Sequence, residues 1–320
     1  MLWKVLSVPL DKLVDYMLCV ETERIWMSGL IFYLVDVFAR EKYAGNQLAV
    51  FMNAEGLSTV EMQKIANEMH FSETTFVLSS EKRNGGYDVR IFTPYVELPF
   101  AGHPTLGTAY VIRRFIAGSS ERSVVLNLKA GQIPVAFEQA EGDEEILWMR
   151  QLPPSFGKTF KTKELAKVLQ LKDEDFDGRF PVQEVSTGMP FIIVPLKSLD
   201  AVKRARVNMD RLLEMASDVH GGILVFCSET VDPRNNLHVR VFVDLQGVPE
   251  DPATGSGNGC LAGYLSRYQY FGISRVNAKV EQGYEIKRPS LLLLKARKMG
   301  DILQVEVGGS VFLVAEGRLV

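Results

Sequence analysis

The 320-residue chain has little of what disulfide, metal-binding or nucleic-acid-binding proteins depend on. Its three cysteines, Cys19, Cys227 and Cys260, are too few and too scattered for a disulfide framework, which suits a reducing cytoplasm. With four histidines and no CxxC or HExxH spacing, a histidine-built metal site is not expected. The net charge is −3 and no long basic run occurs, so nothing favours nucleic-acid binding. We therefore expect a cytoplasmic protein without a metal or a nucleic-acid partner.

Residues 1–28 lack the uninterrupted apolar run of a signal peptide or a membrane span. Apolar residues recur at near-helical spacing there, but charged residues such as Asp11, Lys12 and Asp15 interrupt them. The regular pattern begins only at Ile31, shortly after Met27. Residues 1–28 are therefore either an added amphipathic extension or a mis-assigned start, and no membrane partner is expected.

The remaining composition is that of a folded protein, with 47% hydrophobic and 23% charged residues. The length favours two domains of roughly 150 residues each. A linker is predicted at Gln151–Gly157, where paired prolines and a glycine separate periodic segments. The expected divisions are therefore residues 29–150 and 151–320.

Short β-type runs dominate both ranges, and each range contains one helix rich in small residues. Strands are predicted at Ile31–Phe38 and Gln47–Met52, and Ser58 with Glu61 forms a capping-box pattern for a helix ending near Met69. The small-residue helix of the first range is predicted at Gly107–Ile116. The order of elements then repeats. It predicts an α+β fold of two pseudo-symmetric halves, each a β-barrel-like sheet wrapped around a central helix.

The clearest repeat is a pair of glycine-containing tips. Glu97–Ala109 can be laid without gaps over Glu250–Ala262, so that Gly102 matches Gly255. Each tip leaves an extended segment and enters a helix. Because the first N–H groups of a helix are unpaired and carry partial positive charge, two such tips facing one cleft could hold a carboxylate. Glycines that only allow tight turns and close packing are the alternative.

Four side chains near these tips are candidates for chemistry, each with a structural alternative. His103 fits an acid/base or substrate-binding imidazole, although a lone histidine is more often structural. Glu73 lies at the edge of an apolar strand, where burial would raise its pKa; a solvated turn residue is the alternative. Asp251 and Ser256 flank the second tip and could serve only as turn and N-cap residues. Cys227 and Cys260 are most simply core residues.

Several segments together resemble the PhzF family of phenazine biosynthesis-like proteins, which share the diaminopimelate epimerase fold. The resemblance spans about residue 31 to the C-terminus. It rests above all on the Gly102-His-Pro-Thr105 and Asp251-Pro-Ala-Thr-Gly-Ser256 motifs, in this order. The other matching segments are Val35-Asp-Val-Phe38, Gly45–Phe51, Phe71–Phe76, Glu281-Gln-Gly283, Arg288-Pro-Ser290 and Val305–Gly309.

The resemblance implies a homodimer with one active site between the halves and cofactor-independent, metal-free proton transfer. By motif position, Glu73 would be the main acid/base, and His103, Asp251 and Ser256 would assist it and bind substrate. Five further positions would bind substrate, with the tip amides holding its carboxylate: Asn46, Gly102, Thr254, Gly255 and Gly257.

The epimerase relatives exchange an α-proton between two cysteines, one just before each tip glycine. This chain has Ala101 and Thr254 there, which argues against a two-cysteine racemase. The function expected is an isomerase or epimerase that moves a proton between carbons of a small carboxylic or amino acid. The alternative is a non-catalytic protein of the same fold that binds small acids.

Overall fold

The computed structural model describes residues 29–140 and 145–320, so the prediction for residues 1–28 lies outside the described residues. Strands dominate this part of the chain. They are β1 (Ile31–Val37), β2 (Asn46–Phe51), β3 (Glu73–Val77), β4 (Tyr87–Phe92), β5 (Glu97–Leu98), β6 (Ser123–Leu128), β7 (Gly131–Gln139), β8 (Glu145–Arg150), β9 (Ser155–Phe160), β10 (Val182–Ser186), β11 (Pro190–Pro195), β12 (Gly222–Cys227), β13 (Leu237–Val243), β14 (Val248–Asp251), β15 (Val276–Gln282), β16 (Ser290–Met299), β17 (Ile302–Gly309) and β18 (Val311–Arg318).

The helices are fewer and mostly short. They are α1 (Thr59–Met69), α2 (Gly102–Ile112), α3 (Thr162–Leu169), α4 (Leu199–Arg204), α5 (Met209–Glu214) and α6 (Gly255–Arg267). A π-helical turn, Arg113–Ala117, follows α2, and short 3-10 turns lie at Asp173–Asp175, Ala216–Asp218 and Asp244–Gln246. No helix within the described ranges is long and apolar enough to cross a membrane. The chain therefore has a mixed, sheet-dominated α/β fold.

Helix α1 begins as its sequence predicts. Ser58 Oγ accepts a hydrogen bond from the Glu61 N–H, and the Glu61 carboxylate accepts one from the Ser58 N–H. The reciprocal pair satisfies two N–H groups that the helix itself cannot. The helix ends at His70, whose backbone lies in the left-handed region with φ 54°. The chain then enters β3 at Glu73, which fixes this side chain at the first position of a strand.

The strands form two series that follow the same pairing order. In the first, β18 pairs with β1 and the ladder continues through β2, β3, β4, β6, β7 and β8. In the second, β9 pairs with β10 and the ladder continues through β11, β12, β13, β15, β16 and β17. Strand β5 pairs with β4, and β14 pairs with β13.

Pairing also crosses the division predicted after residue 150. Strand β18 comes last in the chain but pairs with β1, and β17 pairs with β8. Strand β9 begins at Ser155, inside the predicted linker. Gln151 is buried there and hydrogen bonded to Thr187 and to the Gly255 carbonyl. The two ranges are therefore joined by a continuous hydrogen-bonded sheet, and one large core cluster contains side chains from both.

Helices α2 and α6 are buried on nearly all sides. Ten residues of α2 and eleven of α6 are buried. Helix α2 packs on β1, β2, β3, β6 and β8, and α6 packs on β10, β11, β15, β16 and β17. Small residues allow this close approach; a β-carbon at Gly107 would lie 2.6 Å from Leu48 Cδ2. Cys260 within α6 and Cys227 at the end of β12 are both buried, which confirms them as core residues.

The helical pattern predicted at Gly107–Ile116 begins one and a half turns too late, whereas the helix entry predicted at the Gly102 tip is confirmed. The helix begins at Gly102 and its regular part ends at Ile112. Glycine and proline in the Gly102–Thr105 segment suppress a helix prediction. Pro104 lies in the first turn, however, where a missing N–H costs no intrahelical hydrogen bond. The consequence is that His103 is a helical residue in the first turn.

Candidate active site

A cavity of about 240 Å³ lies at the N-terminal ends of α2 and α6. Its walls come from both predicted ranges, with residues between His70 and His103 on one side and between Met189 and Ser256 on the other. At its rim, Tyr95 meets Gly247, where a β-carbon would lie 3.2 Å from Tyr95 Cε2. The cavity is therefore enclosed by segments far apart in the sequence.

The two glycine tips meet at the base of this cavity. A β-carbon at position 102 would lie 3.1 Å from Gly255 Cα and 3.1 Å from Ser256 N. Neither helix start has a side-chain N-cap hydrogen bond, and both N-cap residues, Ala101 and Thr254, have extended backbones. The first N–H groups of two helices therefore converge on one place, where their partial positive charges add.

Glu73 reaches this cavity from the start of β3. Its side chain is 17% exposed, and its Oε2 makes no hydrogen bond within the described part of the chain. Burial, together with the negative charge of Asp251, raises the pKa of Glu73 to about 8. A carboxyl group in this state carries a proton at neutral pH and can give it up at small cost.

His103 faces Glu73 from the first turn of α2. Its Nε2 lies 3.4 Å from Glu73 Oε2, which is within ion-pair distance. Burial nevertheless lowers the pKa of His103 to about 3, against a weaker opposing effect of a hydrogen bond with the Gln47 backbone. Since burial opposes both charges, we assign the pair as neutral imidazole and protonated carboxyl at pH 7.

Asp251 places a second carboxyl group in the same cavity. Asn46 Nδ2 donates to its Oδ1 at 2.9 Å, and the Thr254 hydroxyl donates to its Oδ2 at 2.6 Å. Burial raises the pKa of Asp251, while these two hydrogen bonds oppose the rise. Glu73 has no comparable donors. Asp251 therefore takes up the negative charge more readily than Glu73, a separation of roles typical of acid/base sites.

Asn46 contacts both Asp251 and His103 from outside the cavity. It is 2% exposed and does not line the cavity, although the sequence predicts it as a substrate-binding residue. Its Nδ2 also lies 3.1 Å from the Ala253 carbonyl and 3.2 Å from His103 Nδ1. The turn before it requires Gly45, whose φ is +69° and where a β-carbon would lie 2.4 Å from Val37 O. Arg288 Nε stabilises that turn by donating a hydrogen bond to the Gly45 carbonyl.

The structure separates the other predicted substrate-binding positions into two groups. Gly102, Thr254 and Gly255 line the cavity, whereas Gly257 does not. A β-carbon at Gly257 would instead lie 3.2 Å from Thr254 Cγ2, so this glycine serves close packing. The Thr254 hydroxyl is committed to Asp251, so its side chain contributes by holding that carboxylate.

Ser256 lines the cavity as the second residue of α6 and is half-buried. The alternative interpretation of Ser256 as an N-cap is wrong, because Thr254 occupies that position. The start of α6 has no side-chain cap hydrogen bond, so the Ser256 hydroxyl does not cap the helix.

Sequence reasoning missed the polar residues beneath the second tip and the apolar wall above it. Asn258 and Gln282 are fully buried and hydrogen bonded to each other and to Thr254. Aromatic and aliphatic side chains such as Phe71, Phe191 and Val248 form much of the cavity wall. The sequence signal for Gln282 was its place beside Gly283 in a matching motif, but nothing local indicated its contacts.

Cations are missing from this wall. No lysine or arginine lines the cavity in the described part of the chain, and its ionisable residues are His70, Glu73, Tyr95, His103 and Asp251. Within residues 29–140 and 145–320, no group of three or more histidine, cysteine or acidic residues is arranged to hold a metal ion. The helix starts therefore contribute positive potential to the cavity without help from a lysine or arginine in its described lining.

The sequence matches the family described as phenazine biosynthesis-like protein over residues 35–317. A trans-2,3-dihydro-3-hydroxyanthranilate isomerase of Pseudomonas aeruginosa is 34% identical over 288 residues, which covers 90% of this chain and 98% of that protein. An uncharacterized isomerase of Mesorhizobium japonicum is 33% identical over 297 residues, covering 90% and 98%.

Solved structures agree. A PhzF-family phenazine biosynthesis protein of Bacillus anthracis has a TM-score of 0.83 and 31% identity, covering 92% of this chain and all of that chain. A hydroxyproline epimerase of Agrobacterium vitis has a TM-score of 0.59 at 10% identity, a likeness of fold alone. The relatives carry isomerase names, which confirms the enzyme class predicted from the sequence.

Proposed function

Since the chain belongs to the PhzF family of phenazine biosynthesis-like proteins, we propose that it is a cofactor-independent isomerase. It moves a proton between carbon atoms of a small carboxylate-bearing molecule. The observation that carries this proposal is a pair of buried carboxyl groups, Glu73 with its pKa raised to about 8 and Asp251 held by two hydrogen bonds, in a cavity at the junction of two helix starts.

The substrate carboxylate lies at the N–H groups around Gly102 and Gly255. Those groups stabilise the negative charge that develops on oxygen when a neighbouring C–H bond breaks. Removing one such donor typically costs roughly 100- to 1000-fold in rate. The tip contact supports this role, because it aims both helix starts at one point.

Glu73 transfers the proton. In its protonated form it gives H⁺ to one substrate carbon, forming a C–H bond, and becomes a carboxylate. That carboxylate then removes H⁺ from another carbon, so the C–H bond there breaks and Glu73 is restored. No proton, electron or atom is gained or lost overall, as an isomerisation requires.

The surrounding groups keep this transfer possible near neutral pH. The Asp251 charge favours protonated Glu73. Neutral His103 can accept or donate a hydrogen bond at Nε2 without adding a charge to the site. The Ser256 hydroxyl contributes a further hydrogen bond to bound substrate. A pure binding protein would gain nothing from two carboxyl groups with separated pKa values.

The wall of the cavity limits the substrate class. With no lysine or arginine among its described lining residues, the site binds one carboxylate and has no cation for a second. Aromatic and aliphatic side chains favour an uncharged, apolar or unsaturated body. The Pseudomonas aeruginosa relative is named for an isomerase of trans-2,3-dihydro-3-hydroxyanthranilate, and that molecule is a suitable first substrate to assay.

The finer architecture is part of the same proposal. The two strand series support two pseudo-symmetric halves, because each contains parallel pairs at matching steps, β2–β3 with β11–β12 and β4–β6 with β13–β15. Helices α2 and α6 are then the central helices. A cytoplasmic homodimer remains a prediction, and sedimentation velocity on the purified protein tests the dimer.

Turnover in D₂O tests the proposed reaction. NMR of the reaction of trans-2,3-dihydro-3-hydroxyanthranilate, and of a panel of aromatic and aliphatic amino acids, should detect deuterium at a product carbon or shuttling of the substrate's own proton. Glu73→Gln should reduce turnover roughly 100- to 10,000-fold, the usual contribution of a general acid/base. Glu68→Gln, an exposed change on α1, is the matched control.

Two outcomes would contradict the proposal. Turnover by Glu73→Gln near the wild-type rate would exclude Glu73 as the acid/base. Tight binding of small acids without conversion of any would favour the alternative, a non-catalytic binding protein.

A further inference from the structure

Gln282 ends β15 directly beneath the second glycine tip and is fully buried. Its Nε2 lies 2.8 Å from the Asp251 carbonyl and 3.1 Å from Thr254 Oγ1. Its Oε1 lies 2.8 Å from Asn258 Nδ2 and 3.3 Å from the Thr254 N–H. All four contacts are to the segment that carries Asp251, and Gln282 itself does not line the cavity.

These contacts fix the direction of every hydrogen bond. The side-chain amide of Gln282 can face only one way, because two donors face its oxygen and a carbonyl faces its nitrogen. Its second N–H therefore donates to Thr254 Oγ1. The hydroxyl hydrogen of Thr254 is then left to point at Asp251 Oδ2, 2.6 Å away. A directed chain runs from Asn258 through Gln282 and Thr254 to Asp251.

The chain ends on the group that controls Glu73. The Asp251 carboxylate accepts from Thr254 on one oxygen and from Asn46 on the other, which prevents it from rotating. The charged or titratable groups around it are Glu73 from β3, His103 across Asn46, and its neighbour Glu250. Loss of the directed hydroxyl would weaken the hold on the carboxylate and its negative charge.

We propose that Gln282 is a positioning residue of the active site, which acts through Thr254 to hold the Asp251 carboxylate in one orientation beside Glu73. This inference rests on the proposed acid/base function. It goes beyond that function because Gln282, which does not line the cavity, would control the protonation of Glu73.

A second buried glutamine provides a matched control. Gln151 is also buried against the start of α6; its Nε2 donates to the Gly255 carbonyl at 2.9 Å, and its Oε1 accepts from Thr187 at 2.6 Å. It makes no hydrogen bond to Asp251 or to the Thr254 hydroxyl. Gln151→Met and Gln282→Met therefore remove similar buried amides, but only the second interrupts the chain to Asp251.

The test is the pH dependence of kcat/KM, which requires ionised Asp251 and protonated Glu73 and is therefore bell-shaped. In Gln282→Met, the acidic limb should move up by about one pH unit, because a hydrogen bond to a charged group is worth about that much. The basic limb should move down, because an Asp251 carboxylate that can turn away from Glu73 raises the Glu73 pKa less. The pH range over which kcat/KM stays high therefore becomes narrower. In Gln151→Met, its width should match that of the wild type.

Thr254→Val removes the hydroxyl while keeping the side-chain shape. If the Gln282→Met protein does not fold, Thr254→Val is the variant to assay in its place. It should narrow the profile by the same amount, and the double variant should narrow it no further. Thr254→Ser should restore the wild-type width. Equal narrowing in Gln151→Met, or an unchanged profile in a folded Gln282→Met, would overturn the positioning role. If Gln282→Met does not fold, an unchanged profile in Thr254→Val would overturn it.

Failure of the proposed function is recognised separately. Carboxyl ¹³C NMR titration of Glu73 and Asp251 measures the same two shifts without any turnover. A fall in the Glu73 pKa and a rise in the Asp251 pKa in Gln282→Met would support the positioning role even in a protein that converts no tested substrate. Titration curves that do not move would refute it independently of activity.

Discussion

Replacing Glu73 with glutamine is expected to stabilise the fold at neutral pH while removing the proposed acid/base. The reason is that burial and the nearby Asp251 raise the pKa of Glu73 from 4.5 to about 8. Between these two values the unfolded chain releases this proton and the folded chain retains it. Folding is therefore penalised increasingly as the pH rises through this range, and a glutamine of the same shape carries no such penalty.

The size of the effect follows from the shift, since each pKa unit is worth about 1.4 kcal/mol. The free energy of unfolding of Glu73→Gln should exceed that of the wild type by less than about 1 kcal/mol at pH 5. The excess grows to about 3 kcal/mol at pH 7 and about 5 kcal/mol above pH 8, where it levels off. These values are large beside a typical total stability of about 5–15 kcal/mol.

Urea unfolding followed by circular dichroism at pH 5, 7 and 8.5 measures the difference, provided that the dependence on urea is the same in both proteins. Glu68→Gln, the exposed control on α1, should show no comparable growth with pH. A stability gain that is constant with pH, or a loss at pH 7, would refute the assignment of a buried, protonated Glu73.

Three further changes test other parts of the site and its support. Gly102→Ala should lower kcat/KM at least roughly tenfold, because its β-carbon would press on the Gly255 backbone at 3.1 Å; unchanged kinetics would argue against the tip contact. Asp251→Asn should lower kcat/KM, and the basic limb of its residual activity should move to lower pH, since it removes a charge that raises the pKa of Glu73; an upward shift would contradict this. His238→Ala should cost about 3–5 kcal/mol in urea unfolding, because it leaves the fully buried Glu281 carboxylate without its cation. Since the carboxylate contacts of His238 raise its pKa, that cost should be largest below pH 6.5 and should shrink as the pH rises.

Local patterns predicted much of the backbone correctly. The capping box at Ser58 and Glu61 fixes a helix start because its two hydrogen bonds join residues three apart. The β-type runs predicted at Ile31–Phe38 and Gln47–Met52 match β1 and β2 to within one residue at each end. The helical pattern of α2 began too late, at Gly107, because glycine and proline oppose helices in general but not in the first turn; the tip repeat alone predicted the helix start at Gly102.

The site was predicted only in part, and the missing part is long-range. The motifs identified Glu73, His103, Asp251 and Ser256, which the fold gathers around one cavity. They gave no sign that Gln282 lies under Asp251, because those two residues are far apart in the sequence and meet only when β15 and β14 flank β13.

The sequence by itself determined the kind of elements, the two matching tips and the membership of a family of isomerases. Those properties depend on neighbouring residues or on motifs that can be compared directly. The tertiary structure decided that β18 returns to β1, that Gly102 touches Gly255, and that burial raises the pKa of Glu73 to about 8. Each of these depends on burial and on contacts between distant segments, and so arises only when the chain is folded.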